Sequence, residues 1–270
     1  MLVLTLQYLT QAGCVKSQDR PQARVKSTGL RYPGVVSQPK QRARSPQDKQ
    51  LRKTALLEAA RELATEHGVR EVTLAAVTAR VRLHPTAVRR YFESREELLL
   101  ELAEQGWAEW RDRLVSGLGD ARGLAADEIA DLVSGSLEQL PLFCDLLTHV
   151  VLSLEGAVRL ERARRYKTAA SAAYDTMTQA LAGADAGLDH QGAQVLLTTA
   201  MSCAAYLFQL SRPTETLRRL YAEEPRWAHD ALRFREQLTV LLTTVALGAR
   251  RQVPWTASVP PLSGRDAQCP

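Results

Sequence analysis

Apolar residues recur along this chain at the three- and four-residue intervals of helices, broken at a few well-marked places. Over residues 55–69, Leu56, Ala59, Ala60, Leu63 and Ala64 fall on one face, and Gly68 is the expected stop. Residues 73–92 read as two short helices joined by a tight turn. Thr73 caps the first, and Val77 and Val81 share a face. Arg82 and Leu83 make the turn, with Leu83 pointing back between the helices. Pro85 opens the second at a position where its missing N–H costs nothing, and Val88, Tyr91 and Phe92 close its core side. Ser94 and Glu97 have the spacing of a capping box. Behind it, residues 95–118 form a long helix with Leu98, Leu99, Leu102, Trp107, Trp110 and Leu114 as core positions. Gly117, Gly119 and Gly123 punctuate its end.

Further helices are expected over 124–139, 142–154, 156–182, 190–211 and 225–250, with Pro141 breaking the first from the second and a short helical piece ending before Pro225. Residues 142–154 are apolar almost all round, as a helix in the middle of a bundle should be, and Asp145 and His149 stand four apart on it as an ion pair or pocket contact. The Arg159, Arg162, Arg164, Arg165 and Lys167 run reads as a solvated face. Residues 190–211 are apolar on nearly every side, and 225–250 repeat Leu232, Leu238, Leu241, Leu242, Val245 and Leu247. One chain cannot easily cover both, which points to self-association. The fold class is all-α: an N-terminal three-helix bundle followed by a larger helical bundle.

Charge sharpens this division. Residues 1–50 hold 9 basic and 2 acidic side chains, residues 51–95 hold 9 and 5, and residues 96–270 hold 17 and 23. A basic front and an acidic back fit a protein whose N-terminal part faces a polyanion. Residues 16–49 lack helical periodicity and are expected to be disordered. Three readings stay open for residues 1–48: an unstructured tail, a start that lies downstream at a Val or Leu codon, and an arm that tracks DNA, the first two favoured. Leu2 to Leu9 is apolar but short with nothing basic before it, a poor signal peptide, and Gln11 departs from a lipoprotein site at Cys14. No apolar run is read as long enough to span a bilayer. Cys14, Cys144, Cys203 and Cys269 are far apart, supporting neither a disulfide framework nor a zinc site; Cys144 and Cys203 are expected to be buried thiols. No cofactor or metal is expected.

The set Val77, Val81, Leu83, Val88 and Tyr91 has the spacing of a helix-turn-helix, whose second helix enters the major groove with its N-terminal part toward the base edges. His84, Thr86, Arg89 and Arg90 project away from that set. Arginine can fork onto guanine O6 and N7 or clamp a phosphate, and threonine can bond phosphate or base. With the flanking runs Leu-Glu-Ala-Ala-Arg-Glu-Leu-Ala-Thr-Glu-His-Gly and Arg-Arg-Tyr-Phe-Glu-Ser-Arg-Glu-Glu-Leu-Leu, residues 51–102 closely resemble the TetR (tetracycline-repressor-like) family of transcriptional regulators. Beyond them the resemblance is one of general helical layout. There are two departures: Arg82 stands where the family's turn usually carries Gly, and Arg89-Arg90 where it usually carries Tyr-His.

Composition marks a basic arm over 1–48 and a tail over 252–270; between them the resemblance implies a DNA-binding domain over 49–97 and a ligand-binding and dimerisation domain over 98–251. It implies a cytoplasmic homodimer whose partners are double-stranded operator DNA and a small-molecule effector, most simply a repressor released from a pseudo-palindromic operator. Arg52, Lys53, Thr73 and Arg95 are phosphate candidates, His84, Thr86, Arg89, Arg90 and Tyr91 are base-reading or groove-wall candidates, and Arg82 is a further DNA-binding candidate. Phe143, Leu146, Tyr174, Met177, Met201 and Tyr206 are pocket candidates. No Gly-rich phosphate loop, metal-ligand spacing or nucleophile elbow supports an enzyme. The competing class is a helical protein–protein adaptor whose helix-turn-helix does not read DNA.

Overall fold

The computed structural model describes residues 46–185, 187–228 and 233–250. The chain divides into two units, Met1–Arg52 and Lys53–Pro270. The arm expected over 1–48 lies outside the described residues except for Pro46, Gln47 and Asp48, which are helical; so do the tail, Leu232, Cys14 and Cys269.

The described residues form helices α1 (Pro46–His67), α2 (Leu74–Arg80), α3 (Arg95–Leu118), α4 (Ala126–Glu138), α5 (Pro141–His149), α6 (Leu160–Ala184), α7 (His190–Ser211), α8 (Glu215–Glu223) and α9 (Phe234–Ala249), with short 3₁₀ turns between some of them. No strand is present among the described residues; Leu124 and Asp185 make one isolated parallel bridge. α1 buries Leu56, Leu57, Ala59, Ala60 and Ala64 and stops at Gly68, whose φ of +88° only glycine adopts freely. α3 runs from its Ser94 cap into the bundle and packs on α6; α4 and α7 both pack on α9, and α5 packs on α7.

The centre of the bundle is aromatic. Trp107, Trp110 and Phe143 pack with ring centroids 5.5–5.9 Å apart, and both indole N–H groups are satisfied, by the Tyr166 hydroxyl at 2.9 Å and Ser136 Oγ at 3.0 Å. Phe143 lies so close to the α3 backbone that only a glycine, Gly106, fits beneath it. At the other end Asp185 binds the amides of Gly187 and Leu188 and pairs with Arg250, which also donates to the Leu124 carbonyl at 2.7 Å.

Four expectations need correction. The 142–154 helix is not uniform: α5 gives way to a π turn over Val150–Leu154, which buries Val150 and Leu154 and leaves Val151 and Leu152 exposed. The extra residue per turn shifts the facing register. The last helix begins at Phe234, after a 3₁₀ turn at Pro225–Trp227. The basic run of α6 is a solvated face only in part: Arg159, Arg164 and Arg165 are exposed, but Arg162 is buried against Glu104, because α3 turns Glu101 and Glu104 toward α6, where Arg165 also meets them, and Lys167 pairs with Glu155. Finally, α7 is long and apolar enough to cross a membrane, the one such single helix among the described residues, yet it packs as a core helix on α5, α6 and α9. Cys144 is buried, and burial pushes its thiol up to about 12; Cys203 is only half-buried.

Candidate nucleic-acid interface

The motif is built from local capping. Thr73 Oγ1 accepts the Ala76 N–H at 3.1 Å and starts α2, and Thr78 returns its hydroxyl to the carbonyls of Leu74 and Ala75. After α2 the chain reverses at Arg82, whose φ of +54° is the one positive value of a non-glycine residue among those described. Leu83 N–H then closes on the Thr78 carbonyl at 2.9 Å. An L side chain in this conformation costs about 1 kcal/mol. Replacing Arg82 by glycine is therefore expected to raise stability by up to about 1 kcal/mol, part of the relief being returned as unfolded-chain entropy. The same change removes one cation, so DNA affinity should fall while Tm rises.

The second helix of the motif is a single 3₁₀ piece, Pro85–Arg90, rather than an α-helix. Its bonds run three residues back, Ala87 to His84 and Tyr91 to Val88, both at 2.8 Å. Val88 anchors it, 1% exposed, beside Val77 and Phe92; Val81, Leu83 and Tyr91 are half-buried around them. His84 Nδ1 accepts from the Thr86 N–H at 3.4 Å and lies 2.8 Å from Thr86 Oγ1. With Nδ1 accepting, the neutral ring carries its proton on Nε2 and presents a donor. Thr86 and His84 therefore act as one polar unit at the helix start, with Arg89 and Arg90 exposed at its end.

The cations sort into two groups. Arg82, Arg89 and Arg90 are exposed, Arg89 held only by a 3.3 Å bond to the Glu93 carbonyl. Lys53 and Arg95 are committed internally. Lys53 pairs with Glu101 and sits 5.6 Å over the Phe92 ring. Arg95 donates to the carbonyls of Val69, Arg70 and Val72 and so holds the 69–72 turn to the root of α3. Arg52 stands half-buried on α1. The expected capping box also differs: Glu97 N–H meets Ser94 Oγ at 3.1 Å, but the Glu97 carboxylate takes the N–H of Glu93, at 2.6 Å, one residue further back than Ser94. Burial raises the Glu97 carboxyl above its ordinary value despite Arg162 and Lys53 nearby.

Sequence reading missed two links. Arg80 on α2 forks onto Glu62 and Glu66 of α1 at 2.7–3.1 Å, welding the first two helices; its partners push the guanidinium up and Glu66 down. The spacing of Glu62 and Glu66, one turn apart, was the available signal. The other is Asp145, expected to meet His149, which it does at 3.5 Å, while its other oxygen accepts the Val69 N–H at 2.9 Å. Burial pushes the Asp145 carboxyl up, but bonds from His149, Val69 and Gln209 outweigh it and hold it below its usual value. A depressed carboxylate contributes stability that is complete above the unfolded value of about 3.9 and is lost as pH falls through the folded one. Asp145→Asn should therefore lower Tm at pH 7 and flatten the acid limb of a Tm-against-pH curve.

The pocket candidates are not gathered in one place. Phe143 and Leu146 line a cavity of about 160 Å³ with Arg61, Thr65, Leu102 and Glu109, between α1, α3 and α5. Met177 is buried elsewhere, Tyr174 is half-buried with its hydroxyl donating to the Gln194 carbonyl at 2.7 Å, Met201 is half-buried, and Tyr206 is 64% exposed.

Two family models match the chain. Residues 56–102 match that of bacterial regulatory proteins of the tetR family, and residues 104–252 match that of the tetracyclin repressor-like C-terminal domain. No curated protein matches. Similar solved structures include a TetR/AcrR-family transcriptional regulator from Thermobifida fusca YX-ER1, at 20% identity over 71% of this chain and 96% of that one, with a TM-score of 0.44. The multidrug binding protein EbrR complexed with imidazole is 15% identical over 72% and 94%, TM-score 0.46. The fatty acid degradation regulator FadR from Bacillus halodurans is 14% identical over 75% and 96%, TM-score 0.45. With the capped helix-turn-helix and the helical bundle each matched along nearly their whole length, the chain belongs to the TetR family of DNA-binding transcriptional regulators.

Proposed function

We propose that this regulator is a homodimeric, cytoplasmic repressor that a small-molecule effector releases from a pseudo-palindromic operator. The observation that carries the reading is the division of the Pro85–Arg90 helix into a buried side, Val88, and an exposed side bearing His84, Thr86, Arg89 and Arg90. Seated in the major groove, the exposed side offers a histidine donor, a hydroxyl and two guanidinium forks to base edges and phosphates. Dimerisation is supported by α7 and α9, which leave Val195, Tyr206, Val240, Leu241 and Leu247 exposed while packing on one another. An effector is supported by the cavity that Phe143 and Leu146 share with Arg61 and Thr65 of α1, since a molecule there would touch both the reading head and the bundle.

Selection of bound duplexes from a random pool by the full-length protein tests this. The expected result is a palindrome whose half-sites lie about one turn, 34–36 Å, apart. Affinity should fall steeply with salt, because each phosphate neutralised releases counterions. Weak, unselective binding would instead favour the protein–protein adaptor.

A further inference from the structure

The turn between α1 and α2 is held from two sides. Its carbonyls face Arg95 at the root of α3, with distances of 2.7 Å from Val69 and 3.3 Å from Arg70. Its leading N–H, that of Val69, points the other way and donates to Asp145 Oδ2 on α5. Val69 is fully buried and Asp145 nearly so, leaving little room for water to replace either partner. Asp145 Oδ1 in turn accepts from Gln209 Nε2 on α7, also at 2.9 Å, and faces His149 Nε2. Thr148, beside Gln209, donates to the Ala205 carbonyl at 3.1 Å and ties α5 to α7 a second time. An unbroken path of short hydrogen bonds therefore runs from α7, through Gln209 and Asp145, to the backbone that precedes α2. Gly68, just before Val69, is required by its positive φ and not by space, since a Cβ there would lie 3.8 Å from Asp145 Oδ2, an ordinary contact.

We propose that Asp145 is a positioning residue that fixes the orientation of the reading head on the bundle, and so sets which half-site spacing the dimer accepts. The proposal rests on the dimeric reading above. Asp145 touches no DNA. With its carboxylate removed, each head keeps its own surface but loses a fixed angle to α7, one of the two helices assigned to the dimer contact.

The test uses full-length protein and synthetic duplexes carrying the selected half-sites at their native spacing, at spacings one and two base pairs longer or shorter, and as a single half-site. The wild type is expected to prefer the native spacing on the order of 100-fold, the gain of engaging two sites at once. Asp145→Ala is expected to bind the single half-site as the wild type does but to lose at least about tenfold of that preference. Hydrogen exchange over 68–83 should quicken, while α3 stays protected. Gln209→Ala, which keeps the Val69 bond and cuts the arm to α7, should lose part of the preference and carries the test if Asp145→Ala does not fold. A variant that binds the single half-site normally and keeps full spacing preference overturns the proposal alone. A wild type indifferent to spacing overturns the dimeric reading with it.

Discussion

Gly106→Val is expected to destabilise the protein by about 3 kcal/mol or more, lowering Tm by roughly 6–12 °C. A Cβ at this position would lie 2.3 Å from Phe143 Cδ2, 2.9 Å from its Cγ and 3.1 Å from its Cβ. The ring cannot yield cheaply, since Trp107 meets it edge-on at 5.5 Å and Trp110 packs at 5.9 Å, all three buried. Helix propensity works in the opposite direction, because glycine in a helix interior costs up to about 1 kcal/mol relative to alanine, but a contact far inside van der Waals distance outweighs that gain. Phe143→Ala alone should cost about 3–5 kcal/mol through the cavity it leaves. In the Gly106→Val background the same change should cost much less, because the valine fills part of that space. Thermal denaturation of the four proteins of this double-mutant cycle gives the coupling. Additive losses would show that the close approach of α3 and α5 is not what holds Gly106 in place.

The other large effect concerns DNA alone. Arg89→Ala with Arg90→Ala should weaken binding to the selected operator on the order of 100-fold or more, given about 1–3 kcal/mol for each guanidinium that forks onto a base. Stability should hold within about 0.5 kcal/mol, because both side chains are exposed and only Arg89 makes a bond, a long one, to a carbonyl. Arg95→Ala should behave oppositely. It deletes the donors to Val69, Arg70 and Val72, so Tm should fall, and any loss of DNA binding should follow from the displaced 69–72 turn. Salt titrations separate the roles further, since each lost phosphate contact reduces the slope of log affinity against log salt by about 1. An unaltered affinity in the Arg89, Arg90 double variant would remove this helix from the reading of DNA.

Local signals were the legible ones. Thr73, Pro85, Ser94 and Gly68 each act through atoms within a few residues, and each does in the fold what its position in the chain suggests. Arg82 announced its positive φ by standing where a glycine is usual. What stayed hidden depends on partners far along the chain. Nothing near Arg162 indicates that Glu104, on another helix, will draw it out of solvent. Asp145 shows His149 one turn away, but Val69 lies 76 residues before it. Pocket residues are harder still, because apolar character alone does not separate Met177, wholly buried, from Tyr206, mostly in solvent. The π turn at Val150–Leu154 has no marker of its own: no proline or glycine interrupts 142–154, and the apolar run continues through it.

α3 has 24 residues, which at 1.5 Å per residue makes it about 36 Å long. Its first turn carries Arg95 and the 69–72 turn, and its far half is packed in the bundle. A tilt of about 5° about the far end would carry the near end by about 3 Å, close to the rise of one base pair along B-DNA, about 3.4 Å. A tilt of that size would shift whatever the near end carries by about one base-pair step. If the chain acts as the dimeric repressor proposed above, a rearrangement in the bundle too small to disturb its packing would be enough to put a reading head out of step with its half-site.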